Sequence, residues 1–120
     1  MVIYNVTVSI DQAVEHEWLA YMRGSHIQDV LKTGCFLECR LSRVNGEEDG
    51  GCTYSVMYLA KDQETLDRYQ AQYAPALQQD HSSHFQGKFA AFRTTLNVIE
   101  AFNDYATPII RWIQWKYSRC

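Results

Sequence analysis

The order in which two hydrophobic periodicities follow each other most constrains the fold of this chain. Residues 2–10 alternate between apolar and polar side chains, which is the period of a half-buried strand. A helical stripe follows, then two alternating segments joined by the polar turn NGEEDGG, a second helical stripe and a last alternating segment. This β-α-β-β-α-β order predicts a ferredoxin-like α+β fold, in which a four-stranded antiparallel sheet carries two helices on one face.

Residues with known end preferences mark where the predicted elements begin and end. Asp11 and Asp62 are the expected N-caps of the two helices, and Gly34 and Gly87 end them. Pro75 lies inside the second helical stretch and predicts a kink or a fresh start there. We place the strands at residues 2–10, 35–44, 52–60 and 88–99.

One apolar face of each predicted element should form the core, with tyrosines packed so that their hydroxyl groups reach water. The helix-facing strand residues are Val2, Tyr4, Val6, Val8, Ile10, Leu37, Cys39, Leu41, Tyr54, Val56, Tyr58, Phe92, Leu96 and Val98. The helices contribute Val14, Trp18, Met22, Ile27, Val30, Leu31, Leu66, Tyr69, Tyr73, Leu77 and Phe85.

Composition and charge argue against several classes of protein. A length of 120 residues predicts one domain, and the net charge of −3 without a basic run argues against a nucleic-acid binder. No apolar stretch approaches the ~20 residues that span a bilayer, and the N-terminus does not resemble a signal peptide. The four cysteines form no C-x-x-C pair, so we expect reduced thiols that pack as small hydrophobes in a cytoplasmic protein without a cofactor.

The second face of the sheet is predicted to be mainly polar. Its residues are Asn5, Thr7, Ser9, Glu38, Arg40, Ser42, Thr53, Ser55, Met57, Arg93, Thr95 and Asn97. Such a face can be solvated surface, or it can line a wet cavity between two sheets. Apolar residues near the strand ends (Ile3, Phe36, Leu59, Phe89 and Ile99) favour association, and with it a homodimer.

Two arginines on this predicted face suggest an anionic ligand. Arg40 and Arg93 would lie on opposite edge strands, about 14 Å apart from the usual strand spacing. Together they could hold an elongated anion, each could pair with Glu38 across a dimer, or they could be solvated surface residues. The candidate ligand-binding residues are Arg40, Arg93, Asn5, Thr7 and Ser55.

The histidines are the candidates for acid–base or metal chemistry. His26 follows Met22 by four residues, close to the apolar stripe. It could act as a base near neutral pH, oriented by Asp29, or it could pack and bond a backbone carbonyl. His81 and His84 are spaced to share a metal on a helix, but too few further ligands are evident, so we expect a solvated face and no metal site.

Residues 100–120 form a C-terminal extension beyond the predicted domain of residues 1–99. Thr107 precedes Pro108, an acceptable helix start, and Trp112 and Trp115 lie among isoleucines. So many apolar groups should pack on this chain or on a partner.

Several segments resemble an uncharacterised bacterial family, the domain of unknown function 4286. They are IYNVTV, EWLAYM, HIQDVLKTGCF, the segment around NGEEDGG and RYQAQYAPALQQDHSSHF, and the resemblance covers residues 2–99. Gln28 stands where the family usually has proline after the His-Ile pair. The family has no assigned reaction, so the resemblance implies the fold more than a function.

More distantly, the pattern is similar to dimeric α/β-barrel proteins, in which two ferredoxin-like sheets face each other. That similarity leaves three functions open. The first is a dimeric domain with a structural or small-molecule-binding role. The second is a cofactor-independent, monooxygenase-like enzyme that uses His26 with Arg40 or Arg93 in the cleft between the sheets. The third is haem or metal binding through a histidine.

Overall fold

The computed structural model describes residues 1–46 and 51–102 and confirms the ferredoxin-like α+β fold. One antiparallel sheet has the strand order β2-β3-β1-β4. Its strands are β1 (Val2–Asp11), β2 (Glu38–Arg43), β3 (Gly51–Ala60) and β4 (Phe89–Asn97). The apolar segment around Trp112 and Trp115 lies outside the described residues, so its predicted docking stays a prediction.

The helices pack on one face of this sheet and begin where the sequence predicts. They are α1 (Glu15–Tyr21), α2 (Ile27–Lys32), α3 (Gln63–Gln72) and α4 (Ala74–His84). The Asp11 carboxylate accepts the Ala13 N–H at 2.9 Å before a short 3₁₀ turn, and Asp62 accepts the Thr65 N–H at 2.8 Å before α3. Pro75 lies in the first turn of α4, so the predicted fresh start is confirmed.

The first predicted helix is not regular throughout. A π-helical turn, Met22–His26, separates α1 from α2, and in it the Ile27 N–H donates to the carbonyl of Met22, five residues back. The Gln28 side-chain amide donates to the carbonyl of Arg23 at 2.9 Å and so supplies a partner beside the widened turn. Gly24 therefore lies at a change of helical pitch and not at an end of the helix.

The core lies between the helices and the helix-facing side of β1 and β3. Trp18, Ile10, Leu66, Val30 and Val56 are its largest fully buried side chains. All five belong to the predicted apolar faces. Outside β4, two residues predicted to be core are exposed: Leu37 lies before β2 and Tyr73 lies between α3 and α4.

The predicted orientation of β4 is also wrong, by one residue. Cα pairing sets Arg93 opposite Val6 and Phe92 opposite Thr7, so Arg93 faces the helices and Phe92 faces away from them. The turn that enters the strand decides this. The Asp11 N–H donates to the Lys88 carbonyl at 2.8 Å, and Phe89 is set opposite the buried Ile10.

This correction changes the character of the face that points away from the helices, which we call the open face. Phe92 is 63% exposed there and Leu96 is 48% exposed, although both were predicted to be core. Ile3 and Met57 lie on the same face. The open face is therefore apolar along β4, whereas a mainly polar face was predicted.

Candidate functional site

A cavity of about 50 Å³ lies between the sheet and the helices, on the opposite side of the sheet from the predicted cleft. That volume holds several waters or a ligand of a few heavy atoms. Polar groups reach it from both layers, and Met22, Val8, Phe89 and Ala91 supply apolar wall. The polar lining residues used below are Tyr4, Tyr69, Arg93, His26 and His81.

Arg93 is the cationic group of this cavity. Its Nε donates to the Tyr4 hydroxyl at 3.1 Å, which ties this β4 side chain to the neighbouring strand β1. No carboxylate in the described residues forms an ion pair with it. Its charge opposes the effect of burial on Tyr69, whose phenol pKa is nevertheless raised. Arg93 is an exposed residue of the cavity lining, so its positive charge faces both the cavity and solvent.

The predicted joint site of Arg40 and Arg93 is wrong, because the two arginines lie on opposite faces of the sheet. Arg40 pairs with Met57 on the open face, where its Nε contacts the Glu38 carboxylate of the same strand at 2.8 Å. An anion that bridges both guanidinium groups would have to pass through the sheet.

The polar candidates of the open face mainly satisfy one another. The Ser55 hydroxyl donates to the Asn5 side-chain oxygen at 2.5 Å, and the Asn5 amide donates to the Thr7 hydroxyl at 3.1 Å. Asn5, Thr7 and Ser55 thus form a hydrogen-bonded row across β1 and β3, remote from the cavity, and their predicted role with Arg93 is not supported by this placement.

His81 has a single possible tautomer. The Trp18 indole N–H, which can only donate, bonds to His81 Nε2 at 2.8 Å. Nε2 is therefore the acceptor, and the ring proton is on Nδ1. Burial, reinforced by the charges of His26 and Arg93, lowers the pKa of His81 to about 4, so the ring is neutral near pH 7.

The Nδ1–H of His81 can donate a hydrogen bond to a ligand. No hydrogen bond joins it to another described residue, and within residues 1–46 and 51–102 no unpaired buried side-chain nitrogen or oxygen is fully enclosed. This N–H is therefore accessible, and the His81 ring lines the cavity. The ring offers a donor there rather than a base.

The π-helical turn brings Tyr21 and His26 together. Residues five apart in a regular α-helix point ~140° away from each other. Here the two rings stack, with centroids 5.6 Å apart and His26 Nδ1 3.4 Å from the Tyr21 oxygen. The Tyr21 hydroxyl donates to the Asp80 carboxylate of α4 at 2.5 Å. Such turns recur at functional sites because they re-aim side chains.

His26 is half-buried and lines the cavity beside His81, with the ring centroids 5.6 Å apart. Burial lowers its pKa below the ordinary value, against the opposing charges of Asp80 and Asp29. The candidate catalytic histidine therefore reaches a cavity, while its orienting partner is Tyr21 rather than the predicted Asp29.

The histidines of α4 do not form a metal pair. His81 Nε2 is occupied by Trp18, and His84 Nδ1 lies 2.8 Å from the Asp80 carbonyl. The described part of the chain contains no cluster of three or more His, Cys, Asp or Glu side chains arranged to hold a metal. Also among these residues, no helix is long and apolar enough to cross a membrane.

The sequence did not reveal the partners of the two histidines. Tyr21 and Asp80 are 59 residues apart, and Trp18 and His81 are 63 apart. In the sequence, none of these four residues differs from an ordinary helix residue. Only the packing of α4 against α1 brings the two residues of each pair into contact. The one local signal is the glycine and serine after Met22, which mark the π-helical turn.

Solved structures share this fold at low sequence identity. SnoaB from Streptomyces nogalater, a cofactor-independent oxygenase, has a TM-score of 0.62 at 11% identity, over 86% of this chain and 98% of its own. A dimeric ferredoxin-like protein from an uncultured marine organism has a TM-score of 0.61 at 11% identity, over 86% and 99%.

A protein of the ethyl tert-butyl ether D family from Bacillus halodurans has a TM-score of 0.61 at 13% identity, over 82% of this chain and 100% of its own. Identities this low show the fold alone. Among curated proteins, none matches the sequence. The family model "Domain of unknown function (DUF4286)" matches residues 1–99, which is most of the 120-residue chain, and the protein belongs to that family.

Proposed function

We propose that this protein binds a small organic anion in the cavity between its sheet and its helices. The observation that carries the proposal is Arg93, an exposed arginine that lines the cavity and has no carboxylate partner among the described residues. A cation held in this way is suited to a carboxylate, which it can bind through two parallel hydrogen bonds.

The rest of the lining fits the same kind of ligand. The Nδ1–H of His81 is a second donor, and the Met22 and Phe89 side chains offer apolar contact to the body of the molecule. The volume of about 50 Å³ is far below the ~300 Å³ of a drug-sized site, which favours a ligand of a few heavy atoms.

The test is an NMR titration of the ¹⁵N-labelled protein with pyruvate, comparing Arg93→Met with Arg40→Met. Arg93→Met should weaken binding by about 10- to 100-fold, the value of one charged hydrogen-bonded contact. Arg40→Met removes an arginine of the same sheet from the other face and should leave the affinity unchanged. Shifts that cluster around Asn5 and depend on Arg40 would return the site to the open face and refute the proposal.

We further propose that the open face associates with a second copy of the chain. Phe92 and Leu96 expose their side chains there, next to Ile3 and Met57. The marine ferredoxin-like neighbour is a dimeric protein of the same fold. The predicted homodimer thus gains support from the corrected orientation of β4, which adds apolar surface to the face that would be covered.

A further inference from the structure

The single hydroxyl proton of Tyr21 determines the direction of the hydrogen bond between Tyr21 and His26. Tyr21 has one hydroxyl proton, and it donates this proton in a hydrogen bond to the Asp80 carboxylate, 2.5 Å away. The Tyr21 oxygen can then only accept from His26, so His26 Nδ1 carries a proton. The separation of 3.4 Å is long for a hydrogen bond, as is common before a ligand closes a site.

This arrangement leaves the other nitrogen of His26 as a proton acceptor. No described residue hydrogen-bonds to His26 Nε2, and the ring lines the cavity. His81 has the same tautomer but the opposite function, because Trp18 occupies its Nε2 and only its Nδ1–H is free. The cavity thus contains one imidazole that can accept a proton and one that can only donate a hydrogen bond.

We propose that the cavity transfers a proton at the carbon next to a carbonyl group in a small oxo-carboxylate, with His26 as the base. This inference rests on the proposed anion site, since Arg93 would hold the carboxylate. His26 and His81 are the catalytic residues, and Tyr21 and Asp80 are positioning residues.

The step conserves atoms and electrons and needs no oxidant. His26 Nε2 takes the proton, the electron pair of the C–H bond becomes the C=C bond of an enolate, and the carbonyl oxygen takes the negative charge. The His81 Nδ1–H donates to that oxygen. In D₂O the proton held on His26 Nε2 exchanges for a solvent deuteron, and delivery of that deuteron to the same carbon replaces hydrogen by deuterium.

The charges around His26 suit this chemistry. The imidazolium that forms contacts Tyr21, which is hydrogen-bonded to the Asp80 carboxylate. The negative charges of Asp80 and Asp29 both raise the pKa of His26. Burial has the larger and opposite effect, so the resting ring is neutral. His81 stays neutral beside it, because protonation of Nε2 would break its bond to Trp18.

The first experiment follows exchange of the pyruvate methyl protons for deuterium in D₂O by ¹H NMR. The wild-type protein should exchange them faster than buffer does. His26→Gln should lower the protein-dependent rate by about 100-fold or more, the usual share of general-base catalysis. His16→Gln, which changes an exposed histidine ten residues before His26 that does not line the cavity, should leave the rate unchanged.

The second experiment reads the tautomers of the histidines from ¹⁵N shifts of the ligand-free protein. His26 and His81 should both be protonated on Nδ1. Tyr21→Phe keeps the ring and removes the hydroxyl, so it should release the His26 tautomer and slow exchange without changing the affinity for pyruvate.

These outcomes separate the two proposals. Arg93-dependent pyruvate binding with exchange at the buffer rate would overturn proton transfer and leave the anion site standing. Failure of pyruvate to bind would overturn both. A His26 ring protonated on Nε2 in the wild-type protein would overturn the assignment of His26 as the base, whether or not pyruvate binds.

Discussion

The Trp18–His81 hydrogen bond shows how one contact sets the chemistry of a residue. A histidine on α4 would ordinarily titrate near pH 6.5. Burial, reinforced by the charges of His26 and Arg93, lowers its pKa to about 4, and the indole donor occupies the nitrogen that would gain the proton. The lowered pKa is therefore a property of the folded structure and is lost on unfolding.

Because of this shift, the free energy of unfolding should decrease as the pH falls below about 6.5. The pKa of His81 is lower in the folded protein than in the unfolded chain, so the unfolded chain binds more protons between about pH 6.5 and 4. The stabilisation is complete above pH 6.5 and is lost as the pH falls through 4. The loss amounts to about 3 kcal/mol at most.

Urea denaturation of the wild type and of His81→Gln at several pH values tests this prediction. The variant keeps an acceptor for Trp18 but does not titrate, so its stability should fall less between pH 6.5 and 4. Glu15, whose pKa is also lowered, contributes equally to both proteins and cancels in the comparison. Parallel curves would show that His81 titrates normally.

At the scale of elements, the boundaries were predictable and one strand orientation was not. Local chemistry marks the caps at Asp11 and Asp62 and the start at Pro75, and the structure confirms all three. The β4 segment has two interleaved apolar sets, one with Phe89 and Ala91 and one with Phe92 and Leu96. Alternation alone cannot choose between them on an edge strand, because the turn before the strand decides.

Gly24 and Gly34, in the first helical region, form a matched pair that tests where the backbone conformation requires glycine. Neither Gly24 nor Gly34 has an atom within 4 Å of an added Cβ, but Gly34 has φ +76°. Gly24→Ala should stabilise the protein by about 0.5–1 kcal/mol, since alanine loses less entropy in a helix. Gly34→Ala should destabilise it by about 1–2 kcal/mol, since an L-residue is strained in the left-handed region.

Thermal unfolding of both variants checks these signs. A loss of stability in Gly24→Ala would mean that the π-helical turn needs the freedom of glycine, and it should then also change the His26 tautomer. Equal effects of the two substitutions would mean that the backbone at Gly34 adjusts without strain.

At the scale of the molecule, the sheet separates two surfaces of different chemical character. The helix-facing side has the cavity with Arg93, His26 and His81, and the open face exposes Phe92 and Leu96. The overall topology followed from the order of periodicities along the sequence. The cavity did not, because its polar residues come from β4, the π-helical turn and α4, which only tertiary packing brings together.

The open face gives the last prediction, which concerns assembly. In a two-fold symmetric dimer each substitution acts twice, so loss of a Phe92 contact worth about 1.5–3 kcal/mol per copy removes about 3–6 kcal/mol from the interface. Phe92→Ser should therefore weaken the dimer by more than 100-fold. Since Phe92 is 63% exposed in the protomer, the fold itself should lose little.

Light scattering at micromolar concentration should give twice the protomer mass of 14.0 kDa for the wild type and the protomer mass for Phe92→Ser. Leu37→Ser is the matched control, because Leu37 is similarly exposed, at 61%, but precedes β2 at the edge and is not on the open face. It should leave the dimer intact. A wild-type monomer, or a dimer that only Leu37→Ser dissociates, would exclude the open face as the dimer interface. The exposure of Phe92 and Leu96 would then need a different binding partner to explain it.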